Sequence, residues 1–136
     1  IMSETLGFTH AVTVSPNQRE EFLNFARSAA RAAGKVILPY FRSNLQVTNK
    51  REGSGFDPVT LADQAAERAI RSAIETAYPE HGVFGEEYGL QAGNGLTWVI
   101  DPIDGTRAFM TGMLHWGVLL ALFDGEQPVV GVMYQP

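Results

Sequence analysis

Cysteine is absent from the 136 residues, so disulfides, thiolate nucleophiles and cysteine-type zinc sites are excluded, and the redox compartment is left open. Long apolar runs are missing too: the longest near the C-terminal end, Trp116 to Phe123, is far too short to cross a bilayer. Basic residues are outnumbered, 10 against 15 acids, for a formal net charge of −5, which argues against a nucleic-acid surface. No basic stretch leads into an apolar one at the N-terminus, so no secretory signal is read and the expected location is cytoplasmic. Histidine is scarce: His10, His81 and His115 have neither H-x-x-x-H nor H-x-x-E spacing and read as surface or packing residues.

What remains is 45% hydrophobic, enough for a real core in one ordinary domain. Residues 1–14 show no helical or strand period and read as an arm. Ser15-Pro16 with Gln18 forms a capping box, and an apolar stripe follows through Phe22, Phe25, Ala26, Ala29, Ala33, Val36, Ile37 and Tyr40. That predicts a helix whose last turns, holding Gly34 and Pro39, are bent or frayed. Leu45 to Thr48 reads as a short strand and Asn49 to Phe56 as a loop. The glycines at 53 and 55 do not make a dinucleotide fingerprint, because Pro58 stands where the third glycine belongs. A second helix is expected from a Thr60 cap, with Ala62, Ala66, Ala69, Ala73 and Ala77 inward, Ile70 and Ile74 beside them, and a stop at Tyr78-Pro79. Gly89 to Gly95 reads as a flexible loop, and Trp116–Phe123 and Pro128–Tyr134 as strands joined at Asp124-Gly125. The expected class is α+β, with two N-terminal helices packed on a mostly antiparallel sheet.

Two apolar runs end in acids, the pattern expected when strand ends build one site. Val83-Phe84-Gly85 runs into Glu86 and Glu87, and Trp98-Val99-Ile100 into Asp101-Pro102-Ile103-Asp104-Gly105-Thr106. A strand interior does not tolerate an unpaired aspartate, so Asp101 is expected at the strand's end. Pro102 then turns the chain and sets Asp104 near Asp101 with the Ile103 carbonyl between them. These are hard oxygen ligands of the kind magnesium takes, and Gly105 and Thr106 open a segment whose N–H groups suit a phosphate. Taken alone, D-P-x-D-G is a turn about as often as a site. An EF-hand is excluded by Gly112 at the twelfth position, and an aspartyl-phosphate D-x-D signature by Pro102. Adjacent acids on a strand face opposite ways, so at most one shares a cluster with Asp101 unless the strand has ended; Glu86 is taken as that one, and a solvated surface glutamate is the plain alternative. Asp63, read from its segment alone, is a helix-start acid favouring the macrodipole.

Together, Asp57-Pro58-Val59-Thr60-Leu61-Ala62-Asp63, Gly85-Glu86-Glu87 and Trp98-Val99-Ile100-Asp101-Pro102-Ile103-Asp104-Gly105-Thr106 resemble the inositol monophosphatase family in order and spacing, and the resemblance runs from about Phe22 onward. Arg107-Ala108-Phe109 and the closing Gly131-Val132-Met133-Tyr134-Gln135-Pro136 are similar to its histidinol-phosphate phosphatase branch. The resemblance implies the first half of a layered α/β/α/β/α sugar-phosphatase fold and a magnesium-dependent phosphomonoesterase with two or three ions when complete. On the family's pattern Glu86, Asp101, the Ile103 carbonyl and Asp104 are metal ligands, with Asp101 bridging and Glu87 in an outer role. Asp63 and Thr106 match the pair that orients and deprotonates the attacking water, which displaces the helix-start reading of Asp63. Lys50 matches a lysine assisting a third ion, and the Gly105 and Thr106 N–H groups would hold phosphate.

Family members are about twice this length, on the domain-size scale, and their second half carries a further metal-binding aspartate and most substrate-reading residues. The chain is therefore expected to be an N-terminal piece: an arm over 1–14 and a metal-binding α+β domain over 15–136, the C-terminal domain absent. Its apolar ribbon would pair with a second copy in a homodimer. Two functions from different classes are expected to compete. One is hydrolysis of a small phosphate monoester, histidinol phosphate ahead of inositol phosphate, with no nucleic-acid or membrane partner. The other is an inactive fragment or assembly module that keeps the fold.

Overall fold

A computed structural model of the chain describes residues 11–42 and 58–136, with backbone alone for 58–60. The expected strand at Leu45–Thr48, the loop to Phe56, and Lys50 and Asp57 lie outside the described residues. The first helix, α1, spans Pro16–Ile37 and starts as its capping box requires. The Ser15 hydroxyl accepts from the Gln18 N–H at 3.1 Å, and the Gln18 side chain accepts from the Ser15 N–H at 2.9 Å. Proline at 39 cannot continue the α-helical ladder, and a 3-10 turn, Leu38–Tyr40, follows. Gly34 is where the segment ending at Pro136 crosses the helix: a Cβ there would press on Tyr134 and Pro136.

Helix α2 spans Pro58–Ala77. It begins ahead of the expected Thr60 cap, which lies inside the helix, because Pro58 brings a preset φ and no donor to satisfy at the first position. Its inward face also differs from the alanine stripe. Ala62, Ala66, Ile70 and Ile74 are buried, Ala69 and Ala73 are half-buried, and Ala77 is exposed. Burying isoleucine removes more apolar area from water than burying alanine, so the larger side chains take the inner row.

The sheet has five strands in the order β2-β1-β3-β4-β5. They are β1 (Gly82–Gly85), β2 (Gly89–Gln91), β3 (Thr97–Asp104), β4 (Gly117–Phe123) and β5 (Pro128–Tyr134). Only the β1–β3 pairing is parallel; the other three are antiparallel. Part of the expected glycine loop is thus a strand, since Gly89–Gln91 folds back on β1 with Val83 opposite Gln91 and Gly85 opposite Gly89. A short helix, α3 (Thr106–Met110), joins β3 to β4. The β4–β5 hairpin turns where expected, its Asp124 carboxylate accepting from the N–H groups of Glu126 and Gln127 at 2.9 and 3.0 Å.

Both long helices cover one face of the sheet. Val118, Leu120 and Leu122 of β4 alternate inward with Trp98 and Ile100 of β3, all buried beneath α1 and α2. The described end of the expected N-terminal arm joins this core: Val12 and Val14 pack against it, and the Val12 N–H donates to the Asp124 carbonyl at 2.8 Å. Trp98 is the centre, with Phe25 at 5.3 Å and Phe22, Tyr78 and His81 each at 6.3 Å between ring centroids. Its indole N–H donates to Nδ1 of His81 at 3.0 Å, so His81 is the packing residue that its spacing implied.

Burial holds the His81 pKa below 6.5, against the pull of Glu80 and Glu21. A folded-state pKa below the unfolded one contributes stability above the unfolded value and loses it as pH falls toward the folded value. The urea midpoint is therefore expected to drop as pH falls through 6.5. Trp98→Phe, which strands a buried acceptor, should cost about 1–3 kcal/mol at neutral pH. Both are read from urea denaturation followed by circular dichroism.

Candidate active site

The site begins with an irregularity in β3. Asp101 faces Leu119 across the β3–β4 ladder, yet the next pair is Asp104 with Gly117, so three steps along β3 match two along β4. One residue is extra, at Pro102-Ile103, where proline has no N–H to give the ladder. The strand therefore does not end at Asp101, and Pro102 does not make the expected turn: it makes a bulge. The consequence for the acids is the same. In a regular strand, residues 101 and 104 would face opposite ways. The bulge lets Pro102 and Ile103 both be buried, while Asp101 and Asp104 point away from the helices.

Parallel pairing supplies the third acid. Gly85 of β1 is in register with Ile100 of β3, so the residues that follow, Glu86 and Asp101, emerge side by side. Strand β1 ends at Gly85, which removes the strand alternation that separated Glu86 from Glu87; Glu86 is exposed and Glu87 half-buried. The electrostatics report the convergence. The Asp101 carboxyl is raised above the ordinary aspartate value, first by partial burial, then by the charges of Asp104 and Glu86, while an N–H from Ile103 opposes the shift. Among the described residues none of the three acids is ion-paired, and no three acidic or histidine groups close into a metal cage.

Gly105 follows with φ +89, a left-handed conformation that favours glycine, and a Cβ there would also strike the His115 carbonyl. This turn swings Thr106 back so that its hydroxyl donates to the Ile103 carbonyl at 3.3 Å. Asp63 is half-buried near the start of α2, is itself engaged in a polar or electrostatic contact, and lies on a helix that touches α3. Lys50 lies outside the described residues. Beside Asp101, the open face of the sheet forms an apolar depression of about 440 Å³, with Val99, Leu119, Ala121 and Met133 in its lining.

Sequence reasoning passed over Glu67. This carboxylate is fully buried and accepts from the N–H groups of Glu87 and Tyr88 and from Arg71 Nε. The available signal was a Glu-to-Arg pair at i,i+4 on the face of α2 that carries Ala66 and Ile70.

A mixed five-stranded sheet under two helices, with acids brought together where parallel strands end, defines a layered α+β domain with a carboxylate-rich strand end. The chain belongs to the inositol monophosphatase family, whose model matches residues 18–136. It is 44% identical over 123 residues to a histidinol-phosphatase of Chlorobaculum parvum, covering 83% of this chain and 46% of the relative. It is 36% identical over 114 residues to the Nus factor SuhB of Xylella fastidiosa, covering 84% and 41%. The solved inositol monophosphatase of Zymomonas mobilis superposes with a TM-score of 0.73 at 39% identity, covering 86% of this chain and 44% of that one. The chain thus spans less than half the length of these relatives.

The raised Asp101 carboxyl sets a pH signature. Its contribution to stability is present below the unfolded value, near 3.8, and is lost as pH rises through the folded value. In chelator, Asp101→Asn should therefore melt higher than the parent chain at neutral pH, with the gap shrinking as salt is added because the site is solvent-exposed. Differential scanning calorimetry at two salt concentrations checks both signs.

Proposed function

We propose that the chain carries the metal-binding half of a magnesium-dependent phosphatase for a small phosphate monoester, histidinol phosphate ahead of inositol phosphate. One observation carries the reading: parallel pairing of Gly85 with Ile100 and the bulge after Asp101 bring Glu86, Asp101 and Asp104 to one end of the sheet, where the charges of Asp104 and Glu86 add to burial in raising the Asp101 carboxyl, with no basic side chain among the described residues paired to any of them. A hard divalent cation is the group that relieves such crowding. Glu86, Asp101, Asp104 and the Ile103 carbonyl would hold it; the carbonyl keeps a lone pair beyond the one the Thr106 hydroxyl uses. Bound there, magnesium supplies a water of lowered pKa and charge neutralisation for the departing alkoxide.

The other steps belong to the chain's own groups. With its proton on the Ile103 carbonyl, Thr106 Oγ presents lone pairs and accepts a hydrogen bond from the attacking water. Asp63, half-buried on the neighbouring helix, takes that water's proton. Backbone N–H groups at Gly105 and Thr106 receive the phosphate oxygens, presented by a turn whose left-handed Gly105 packs against the His115 carbonyl. In-line attack then needs positioning and charge neutralisation and no covalent enzyme intermediate. Glu87 lies just outside this set, its N–H bonded to Glu67.

Histidinol phosphate is placed first because a histidinol-phosphatase at 44% identity is among the relatives and Arg107-Ala108-Phe109 is similar to that branch. The rival reading, a fold-retaining fragment or assembly module, is favoured by the chain's share of its relatives' length, 46% and 41%. Two measurements separate them. Calorimetric titration with Mn2+ should show binding that Asp101→Asn weakens on the order of tenfold or more; equal binding by both proteins sinks the carboxylate site. Phosphate release with Mg2+ is then compared for histidinol phosphate and inositol phosphate, on this chain alone and on the chain extended by the C-terminal half of the histidinol-phosphatase relative. Activity confined to the extended chain supports the reading of a half-site, and inactivity of both overturns the catalytic one.

A further inference from the structure

Glu67 lies outside the acids assigned above, yet it is the one fully buried acidic side chain among the described residues. Its burial is compensated from several sides. Oε1 accepts from the Glu87 N–H at 3.1 Å, Oε2 from the Tyr88 N–H at 3.0 Å and from Arg71 Nε at 2.9 Å. Arg71 spans onward with a terminal nitrogen donating to the carbonyl of Gly89, and its guanidinium lies 5.9 Å from the centre of the Tyr88 ring. Arg68, on the same helix, donates to the Tyr88 hydroxyl at 2.7 Å. The turn linking β1 to β2 is therefore fastened to α2 at every residue from 87 to 89. Gly85 makes the room: a Cβ there would overlap the Glu67 carboxyl carbon and both its oxygens.

The two N–H groups that Glu67 receives belong to residues between the strands, where the β1–β2 ladder offers no partner. A carboxylate with both oxygens free to accept fits two converging donors; a carboxamide does not, because its NH2 would face one of them. Glu86 is the residue immediately before this fastened pair, and its own side chain is exposed. Its direction is therefore set by the backbone on either side, the Gly85 end of β1 and the anchored Glu87.

We infer that Glu67, with Arg71, is a positioning residue: by holding the Glu87 and Tyr88 N–H groups it aims Glu86 at Asp101, so that cation affinity depends on a carboxylate on α2 that touches no ion. The inference rests on the metal-site reading above and deepens it. Outer-shell partners of ligands commonly change metal affinity by about 10–100-fold when removed.

The test compares the parent chain, Glu67→Gln, Gly85→Ala and, as a control on an exposed acid of the same helix, Glu75→Gln. Each is checked for folding by circular dichroism and studied well below its melting midpoint. Mn2+ is titrated calorimetrically, and amide hydrogen exchange is followed at Glu87 and Tyr88. Glu67→Gln and Gly85→Ala are expected to weaken Mn2+ binding by about tenfold or more and to speed exchange at both amides, while exchange in β4 and the Glu75→Gln affinity stay unchanged. Mn2+ affinity within about twofold of the parent for Glu67→Gln overturns the positioning role, whether or not the two amides exchange faster. A parent chain that takes up no Mn2+ overturns the metal-site reading and this role with it, which distinguishes that failure from the first.

Discussion

The site depends on one constraint, the side-chain parity of a β-strand. Residues 101 and 104 are three apart and would face opposite ways in a regular strand. The Pro102-Ile103 bulge inserts a residue, so both acids face one side while proline and isoleucine fill the core on the other. Proline without an N–H costs the ladder least at such a bulge, so the residue that breaks the ladder also aligns the two acids. Parallel pairing of β1 with β3 does the complementary work of delivering Glu86 to the same end.

Crowding acids is unfavourable, and the fold offsets it elsewhere. Trp98, three residues before Asp101, sits in a cluster of Phe22, Phe25, Tyr78 and His81, and its indole N–H is satisfied by His81. That aromatic surround fixes β3 against both helices just before the strand reaches the site. Helix α2, whose last turn holds Tyr78 of this cluster through the Ile74 carbonyl, also carries Glu67, which fastens the β1–β2 turn, and Asp63. Core and site are thus joined through one helix, and loosening α2 would disturb both.

Much of this was legible along the chain. The capping box at Ser15, the β4–β5 hairpin and the acids closing two apolar runs were each visible because their signals are local. The inner row of α2 was misread because alanine spacing marks a face without saying which residues win the contact, and Ile70 and Ile74 did. Gly89–Gln91 read as loop because glycine is poor in strands, whereas here pairing with β1 decides. Asp101 was expected at a strand's end on the ground that an aspartate inside a strand must be unpaired. On the open face of the sheet, however, a strand residue such as Asp101 remains exposed.

The sequence by itself determined the chemistry on offer: no thiols, no metal-type histidine pairs, and carboxylates clustered between a tryptophan-led strand and a glycine-threonine turn. It also determined membership of the inositol monophosphatase family, since ordered motifs are a property of the chain alone. Only the tertiary structure decided which acids meet and which stay apart. Glu86 and Asp101 are neighbours because two strands run parallel, and Glu67 is buried beneath the turn because Gly85 has no side chain. Those are relations between segments distant in sequence, set by register and close packing, and no local pattern encodes them.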